Sequence, residues 1–405
     1  MTEPEPTREA GEARMSAFAP YTGARYARLR NFDRGVGAHS DVSGLSPWLR
    51  RRIVTEPEVV AAALAEHGPE GADKFVQEVV WRGYSKGWLE RRPQTWADFR
   101  DGRDADLARL DADARLHRAV AAAESGRTGL ACFDAWAREL VATGYLHNHA
   151  RMWFASIWIF TLELPWRIGA DFFLSHLLDG DPASNTLGWR WVAGLHTRGK
   201  PYTARAANIA TFTAGRFAPA ARDLAEDVRG RADEEPDGLP PVRPLRQPLA
   251  PDLALPAVLL ITEEDCSAED FDLAALDIRA TATLQATHLR SPRPVPEAIG
   301  RFEAGALADA AGRTRRAALT LRAGAPDELT AWADGAGARQ IVTPYVPEGP
   351  LRDWLRAAEP VLRARGIALC EWRRDWDALI WPHATAGFFK VRKRIPSILQ
   401  DAGLT

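Results

Sequence analysis

The stretch Gly144-Tyr-Leu-His-Asn-His-Ala-Arg-Met152 opens an apolar, strongly aromatic segment that continues to Leu164. It places histidine, asparagine and arginine side chains at the polar end of a helix that is otherwise apolar. Buried polar groups without partners cost a few kcal/mol, so these side chains need either a local hydrogen-bond network or a ligand. The two histidines are two positions apart and do not share a helix face, which argues against a metal site built on both. A local hydrogen-bond network and a bound ligand explain these side chains equally well at this point.

Three further patterns accompany this stretch. Leu178–Trp191 begins like a calcium loop but lacks alternating oxygen ligands and a terminal glutamate, so calcium is excluded. Glu78-Val-Val-Trp81-Arg82 places a carboxylate, an indole and a guanidinium on one helix face, where they can hold a planar or phosphorylated ligand. A solvated ion pair over a core tryptophan fits that pattern equally well. Val42-Ser-Gly-Leu-Ser-Pro47 precedes a helix and can bind phosphate, although an ordinary helix cap is the commoner explanation.

Taken in order, these patterns resemble the DNA photolyase/cryptochrome family. The strings that carry the resemblance are Thr143–Met152, Pro165–Phe173 and Leu177–Trp191, and their spacing is collinear with the family pattern. The resemblance covers about residues 21–220. It implies an all-helical domain that binds FAD in a U-shaped conformation, with the flavin pocket centred on Glu139–Trp191.

The resemblance also implies roles in the FAD site. Tyr26, Ser43, Leu45 and Ser46 would hold the phosphates and the ribityl chain, with Arg82 nearby. Asn148 and Arg151 would flank the isoalloxazine ring, with Arg151 paired to Asp179. Asp181 would accept a hydrogen bond from the ring edge, and Asn185 would face flavin N5. An asparagine at this last position is the photolyase choice.

Five residues match the lesion-contacting positions of class I photolyases, which act on cyclobutane pyrimidine dimers: Glu78, Trp81, Asn148, Met152 and Trp191. The resemblance therefore implies a lyase in which light-excited reduced FAD passes an electron to a flipped-out dimer in UV-damaged DNA. The alternative is a cryptochrome-like photoreceptor that signals to a protein partner through the C-terminal domain without repair. A light-independent flavoprotein, or a degenerate relative that only binds partners, is a third interpretation.

The chain departs from the family pattern in several places. Trp189 and Trp166 match the proximal and middle members of the electron-transfer chain, but Ala123 stands at the distal position. Trp136, Trp153 or Trp158 could replace the missing indole. His149 stands where the family has an arginine, which weakens the expected grip on DNA phosphates. The cations expected to compensate are Arg30, Arg50, Arg51 and Arg52.

Composition changes along the chain predict the domain organisation. Residues 1–20 are expected to be disordered, 21–228 to form the helical domain, and the Pro-rich stretch 229–256 to be a linker. Short apolar runs alternate with helical patterns in 257–405, which predicts a doubly wound α/β domain ending in a helix. This domain contains neither GxGxxG nor a P-loop. In the family the antenna domain precedes the flavin domain, so 257–405 is interpreted as a permuted or substituted antenna-like domain. The sequence leaves open whether this domain binds an antenna chromophore.

Charge and cysteine content narrow the functional classes. The formal net charge is −2, so DNA binding would have to come from a local patch. The three cysteines are far apart and show no metal-binding or disulfide spacing, and no metal is expected. No run of about 18 apolar residues occurs, so no membrane segment is expected. These features favour a cytoplasmic enzyme or sensor, and they leave its oligomeric state open.

Overall fold

The structure is a computed structural model and describes residues 4–405. Contacts within the described chain separate two compact units. The first, called the helical unit, comprises residues 24–44 and 92–242; the second, called the sheet unit, comprises 4–23, 45–91 and 243–405. This division differs from the domain boundaries expected at 228 and 257, because 4–23 and 45–91 cluster with the C-terminal sheet.

The described residues form α-helices in both units. In chain order they are α1 (Arg8–Phe18), α2 (Ala24–Leu29), α3 (Ser46–Arg50), α4 (Glu56–Glu90), α5 (Pro93–Ala112), α6 (Ala114–Glu124), α7 (Ala131–Thr143), α8 (Asn148–Ser156), α9 (Trp166–His176), α10 (Pro182–Val192), α11 (Ala206–Phe212), α12 (Glu297–Arg313), α13 (Pro326–Gly335), α14 (Pro350–Ala364), α15 (Asp375–Ile380), α16 (Phe389–Arg392) and α17 (Ile395–Asp401). None of the helices in residues 4–405 combines the length and apolar character that a membrane crossing requires.

The helical unit owes its dense core to aromatic side chains. A π-helical turn, Ile157–Thr161, continues α8. Trp158 lies there and is fully buried. A Cβ atom on Gly169 would lie 2.3 Å from Cη2 of Trp189, so only glycine lets α9 approach α10 this closely. The glycine in the local pattern Pro-Trp-Arg-x-Gly is therefore a packing requirement of this core.

The sheet unit contains five parallel strands in the order β3-β2-β1-β4-β5. The strands are β1 (Ala257–Thr262), β2 (Ile278–Gln285), β3 (Ala318–Arg322), β4 (Gln340–Pro344) and β5 (Ala368–Trp372). β1 is buried along its whole length at the centre of the sheet, as expected for an apolar run in a parallel sheet. The predicted α/β domain is confirmed, and the short apolar runs of 257–405 form the strands of its parallel sheet.

Helix α4 belongs to the sheet unit and bends at Gly68. The glycine has φ 65°, and the helix resumes at Pro69. Gly83 and Gly87 bring the second half of α4 close to Ile380 and Trp381, since a Cβ atom at either glycine would come within 3 Å of these side chains. The C-terminal residues are thereby packed onto α4 within one unit.

The N-terminal stretch is helical where disorder was expected. Thr7 caps α1 by accepting a hydrogen bond from the backbone N–H of Ala10. Within the same unit, the indole N–H of Trp48 donates to the carbonyl oxygens of Glu5 and Thr7. The expectation of disorder over 1–20 is thus wrong for the helix Arg8–Phe18, because long-range contacts hold a segment whose local composition is unfavourable.

Candidate flavin-binding site

The start of α8 contains a satisfied histidine network. Nε2 of His147 lies 3.0 Å from the carbonyl oxygen of Arg30, and Nδ1 of His149 lies 3.0 Å from that of Asn31. Nδ1 of His147 accepts from the backbone N–H of His149, which caps the helix. Burial lowers the pKa of His147 to about 4 and also lowers the pKa of His149. Both rings are therefore neutral near pH 7 and act as fixed donors to the backbone.

Arg151 and Asp179 form the ion pair expected of the flavin site. Nη2 of Arg151 lies 3.0 Å from each carboxylate oxygen of Asp179, while Nε donates to the carbonyl oxygen of Leu146. The Asp179 side chain is almost fully buried, and that of Arg151 is about a quarter exposed. The pair links the start of α8 to the loop before α10, and it leaves part of the Arg151 side chain accessible.

Asp181 and Asn185 stand on the first turn of α10. Asp181 caps this helix, because its Oδ1 accepts from the backbone N–H and the hydroxyl of Ser184. The side-chain amide of Asn185 donates to the carbonyl oxygen of Ala170 at 2.8 Å. That bond fixes the amide nitrogen and leaves the carbonyl oxygen as an acceptor. An acceptor in this position suits the N5–H group of a reduced flavin.

The two expected electron-transfer tryptophans are both buried in the helical unit. Trp189 is in edge-on contact with Trp158, at a ring-centroid distance of 6.3 Å. Trp166 packs against Phe99 and donates its indole N–H to Glu234. The indole N–H of Trp189 is buried without a partner among the described residues. This ring contact places Trp158 beside the proximal member Trp189, so it does not identify Trp158 as the substitute for the distal indole missing at Ala123.

The remaining predicted residues of the helical unit are partly open to solvent. Trp191 is 37% exposed and stacks on Tyr202 at 5.1 Å. Burial raises the pKa of Tyr202 to about 12, so its hydroxyl stays protonated. Asn148 is exposed, whereas Met152, Tyr26 and Ser43 are half-buried. An exposed indole backed by a second ring is a surface on which a base can stack.

The other predicted site residues belong to the sheet unit. Ser46 begins α3, and its hydroxyl is buried without a partner among residues 4–405. Leu45 is fully buried and lines a small apolar cavity with Phe18 and Phe75, so it can offer a ligand only its backbone. An unsatisfied buried hydroxyl at a helix start fits an anionic group such as a phosphate of FAD.

Glu78, Trp81 and Arg82 lie on α4 as the spacing predicts. Glu78 is in an i,i+4 ion pair with Lys74, and both side chains are over a third exposed. Trp81 is 47% exposed, and its ring lies 4.0 Å from that of Phe388. Arg82 is half-buried. The indole is therefore held from one side while a large part of it remains accessible.

One buried charge cluster has no counterpart in the sequence prediction. Asp33 accepts from the indole N–H of Trp136, from Arg216 and from the backbone N–H of Gly35. His39 lies 2.9 Å from Glu139 and 3.9 Å from Asp33, and the three side chains are close enough to share a cation. The donors already bound to Asp33 instead make it an ionic anchor of the helical unit. Its only sequence signal is an aspartate between a Phe and an Arg in a loop.

Arg50, Arg51 and Arg52 do not serve as the compensating DNA contacts that we expected. Each is buried and paired with a carboxylate of its own unit. These carboxylates follow β1 or lie in α15, and the pairs are Arg50–Glu264, Arg51–Glu263 and Arg52 with Asp265 and Asp377. The acidic run Glu263-Glu-Asp265 directly after a buried strand was the available signal for this pairing.

Comparison with known proteins agrees with the resemblance. Residues 75–220 match the family model described as the FAD binding domain of DNA photolyase. The segment 75–220 is thus similar to photolyase-type flavin domains, and the expected resemblance to the DNA photolyase/cryptochrome family is confirmed for this segment.

Similar curated proteins from several organisms carry the name deoxyribodipyrimidine photo-lyase. The one from Streptomyces griseus is 41% identical over 169 residues, which are 40% of this chain and 35% of that protein. The one from Thermus thermophilus is 38% identical over 199 residues, 49% of this chain and 45% of that protein. A solved class III photolyase from Agrobacterium tumefaciens is 26% identical, with a TM-score of 0.41, covering 51% of this chain and 43% of that one. The chain thus spans less than half the length of these relatives.

Proposed function

We propose that this protein binds FAD and uses blue light to split cyclobutane pyrimidine dimers in UV-damaged DNA. The observation that carries the proposal is the intact α8–α10 constellation, in which Arg151, Asp179, Asp181 and Asn185 occupy the family pattern and are held in defined hydrogen bonds. The family model that matches this part of the chain describes the FAD binding domain of DNA photolyase, and the similar curated proteins are named photo-lyases. FAD, when bound, supplies the light absorption and the electron for the reaction.

The protein's own residues would orient the cofactor and the lesion. The amide of Asn185 is fixed through Ala170 and offers its oxygen to the flavin ring. The Arg151–Asp179 pair keeps a cation beside the ring without a free buried charge. Ser46, with its unsatisfied hydroxyl, would hold a phosphate of FAD. The Asn185 amide and the Arg151–Asp179 pair are already held by hydrogen bonds within the helical unit, so these groups need little rearrangement when a ligand binds.

The lesion would be held by exposed aromatic groups. Trp191 and Trp81 are among the large apolar side chains that the described residues expose, and both are supported from behind by another ring. Stacking of a base on such a ring contributes about 1–3 kcal/mol. Glu78, a partly exposed carboxyl group, would hydrogen-bond the lesion, and Asn148 and Met152 would complete the contacts.

A repair assay tests the proposal. The protein is loaded with FAD, reduced, and illuminated with blue light in the presence of oligothymidine that contains dimers. Loss of dimers is expected, and W81A should reduce affinity for the damaged strand by about 5- to 150-fold, the range that corresponds to one stacking contact. The control W354A removes a half-buried tryptophan of α14, outside the predicted site, and should leave repair unchanged. Unchanged dimer content in the light would refute the proposal.

One observation favours a photoreceptor as the second candidate. Helix α4, which carries Glu78 and Trp81, packs against Ile380, Trp381 and Phe388 in the C-terminal part of its own unit. A change at these site residues would therefore reach the C-terminal surface directly. Under this alternative, blue light alters the affinity for a protein partner while dimers stay intact, which the repair assay and a light-dark pull-down separate.

A further inference from the structure

The C-terminal basic segment, residues 388–394, concentrates positive charge. Lys390, Arg392, Lys393 and Arg394 fall within five positions, and residues 378–400 contain no aspartate or glutamate. All four cations are exposed. The chain as a whole carries a formal charge of −2, so the positive charge of this segment contrasts with that of the rest of the chain.

The segment is held in place on α4. Phe388, Val391 and Ile395 are buried, which turns the intervening cations outward. The ring of Phe388 packs on Trp81 and meets Tyr84 edge-on at 5.5 Å. The hydroxyl of Tyr84 donates to the carbonyl oxygen of Ala386 at 2.9 Å. The cations are therefore presented by an anchored surface and do not depend on a free tail.

The charges converge with little neutralisation. None of Arg392, Lys393 and Arg394 has an ion pair within residues 4–405, and Lys390 bonds only a hydroxyl, that of Thr385. The pKa of His383 is lowered, mainly by burial and then by the positive charges of Arg394, Lys390 and Arg91. Like charges left close together in this way gain energy when a polyanion approaches.

We propose that the C-terminal basic segment is a phosphate-binding surface for duplex DNA, contiguous with Trp81. The four cations would contact the backbone, and Phe389, which is 73% exposed, would pack against a sugar or a base. The choice of DNA as the polyanion rests on the proposed lesion-stacking role of Trp81. Such contacts add affinity and register without reading sequence, and they would replace the contacts weakened at His149.

Salt-dependent binding of an undamaged 20-base-pair duplex tests this proposal. Each phosphate contact contributes about 0.9 to the slope of log affinity against log salt. The variant K390Q/R392Q/K393Q/R394Q should therefore reduce the slope by about 3.6. When the salt is raised from 50 to 200 mM, the unaltered protein should lose about 150-fold more affinity for the duplex than the variant loses. The matched control R115Q/R118Q/R322Q/R363Q removes the same charge from exposed sites on other elements and should keep the original slope.

A second variant and a separate repair measurement distinguish the possible outcomes of this test. K393Q/R394Q, a milder variant, should lower the slope by about 1.8. Equal slopes for the quadruple variant and its control would overturn the proposal, as would binding to phosphatidylserine vesicles in place of DNA. Repair by the unaltered protein is scored separately: a protein that splits dimers but shows no change in slope refutes this surface alone. A slope change without repair refutes the proposed lyase alone.

Discussion

The buried pair between Arg50 and Glu264 allows a quantitative prediction. Two hydrogen bonds, at 2.8 and 2.7 Å, join the guanidinium to the carboxylate, and the two side chains are only 2% and 7% exposed. Removing one partner of such a pair leaves an uncompensated buried charge and costs about 3–5 kcal/mol. We therefore expect R50M and E264L each to lower the free energy of unfolding by that amount.

The double variant R50M/E264L should lose much less free energy of unfolding than the two single variants lose together. Replacing a buried pair by apolar side chains of similar size is often close to neutral, so a coupling energy of about 3 kcal/mol or more is expected. Urea denaturation of the four proteins measures it, with R322M, at an exposed position, as a control expected to stay within about 0.5 kcal/mol. Neither R50M nor the double variant should alter the salt slope of DNA binding.

Two outcomes would refute this reasoning. Additive losses in the double variant would show that the two side chains do not act as a pair. A reduced salt slope in R50M, with unfolding unchanged, would mean that Arg50 reaches DNA as the sequence first suggested.

Three other predictions follow from the same structure. G169A should destabilise the protein by about 1–3 kcal/mol, because the new methyl group overlaps Trp189; thermal unfolding measures this, and an unchanged midpoint would contradict it. Burial raises the pKa of Glu90 to about 7 from 4.5. The folded state therefore binds more protons between these values, and the stability contributed by this group falls by about 3 kcal/mol as the pH rises through them. Urea titrations at pH 5 and 8 should show a flatter pH dependence for E90Q, and parallel curves would exclude the effect. D33N should cost about 2–3 kcal/mol, because Trp136 and Arg216 lose a charged acceptor; no shift of the urea midpoint would show that the anchor is dispensable.

Local signals predicted the strands and one ion pair of the candidate flavin site. Short apolar runs bounded by turns gave all five strands, since a buried parallel strand leaves a continuous apolar signature. The pairing of Arg151 with Asp179 was also expected, because the family pattern fixes both positions.

The partition into units could not be predicted in this way. It depends on pairs such as Arg52 with Asp377, which are separated by 325 residues and leave no periodic signal. The helix Arg8–Phe18 was missed for a related reason, because an acidic, Pro-containing segment is ordered by contacts with distant residues. The anchoring role of Asp33 depends on Trp136, which is likewise remote in sequence.

The count of dimers split per bound FAD tests the central claim most directly. FAD-loaded, reduced protein is mixed with an excess of dimer-containing oligothymidine, and matched samples are kept in blue light or in darkness. The proposed function predicts that illuminated samples lose several dimers for each FAD while dark samples lose none. An equal dimer content in light and darkness, in a protein that has bound FAD, would contradict it.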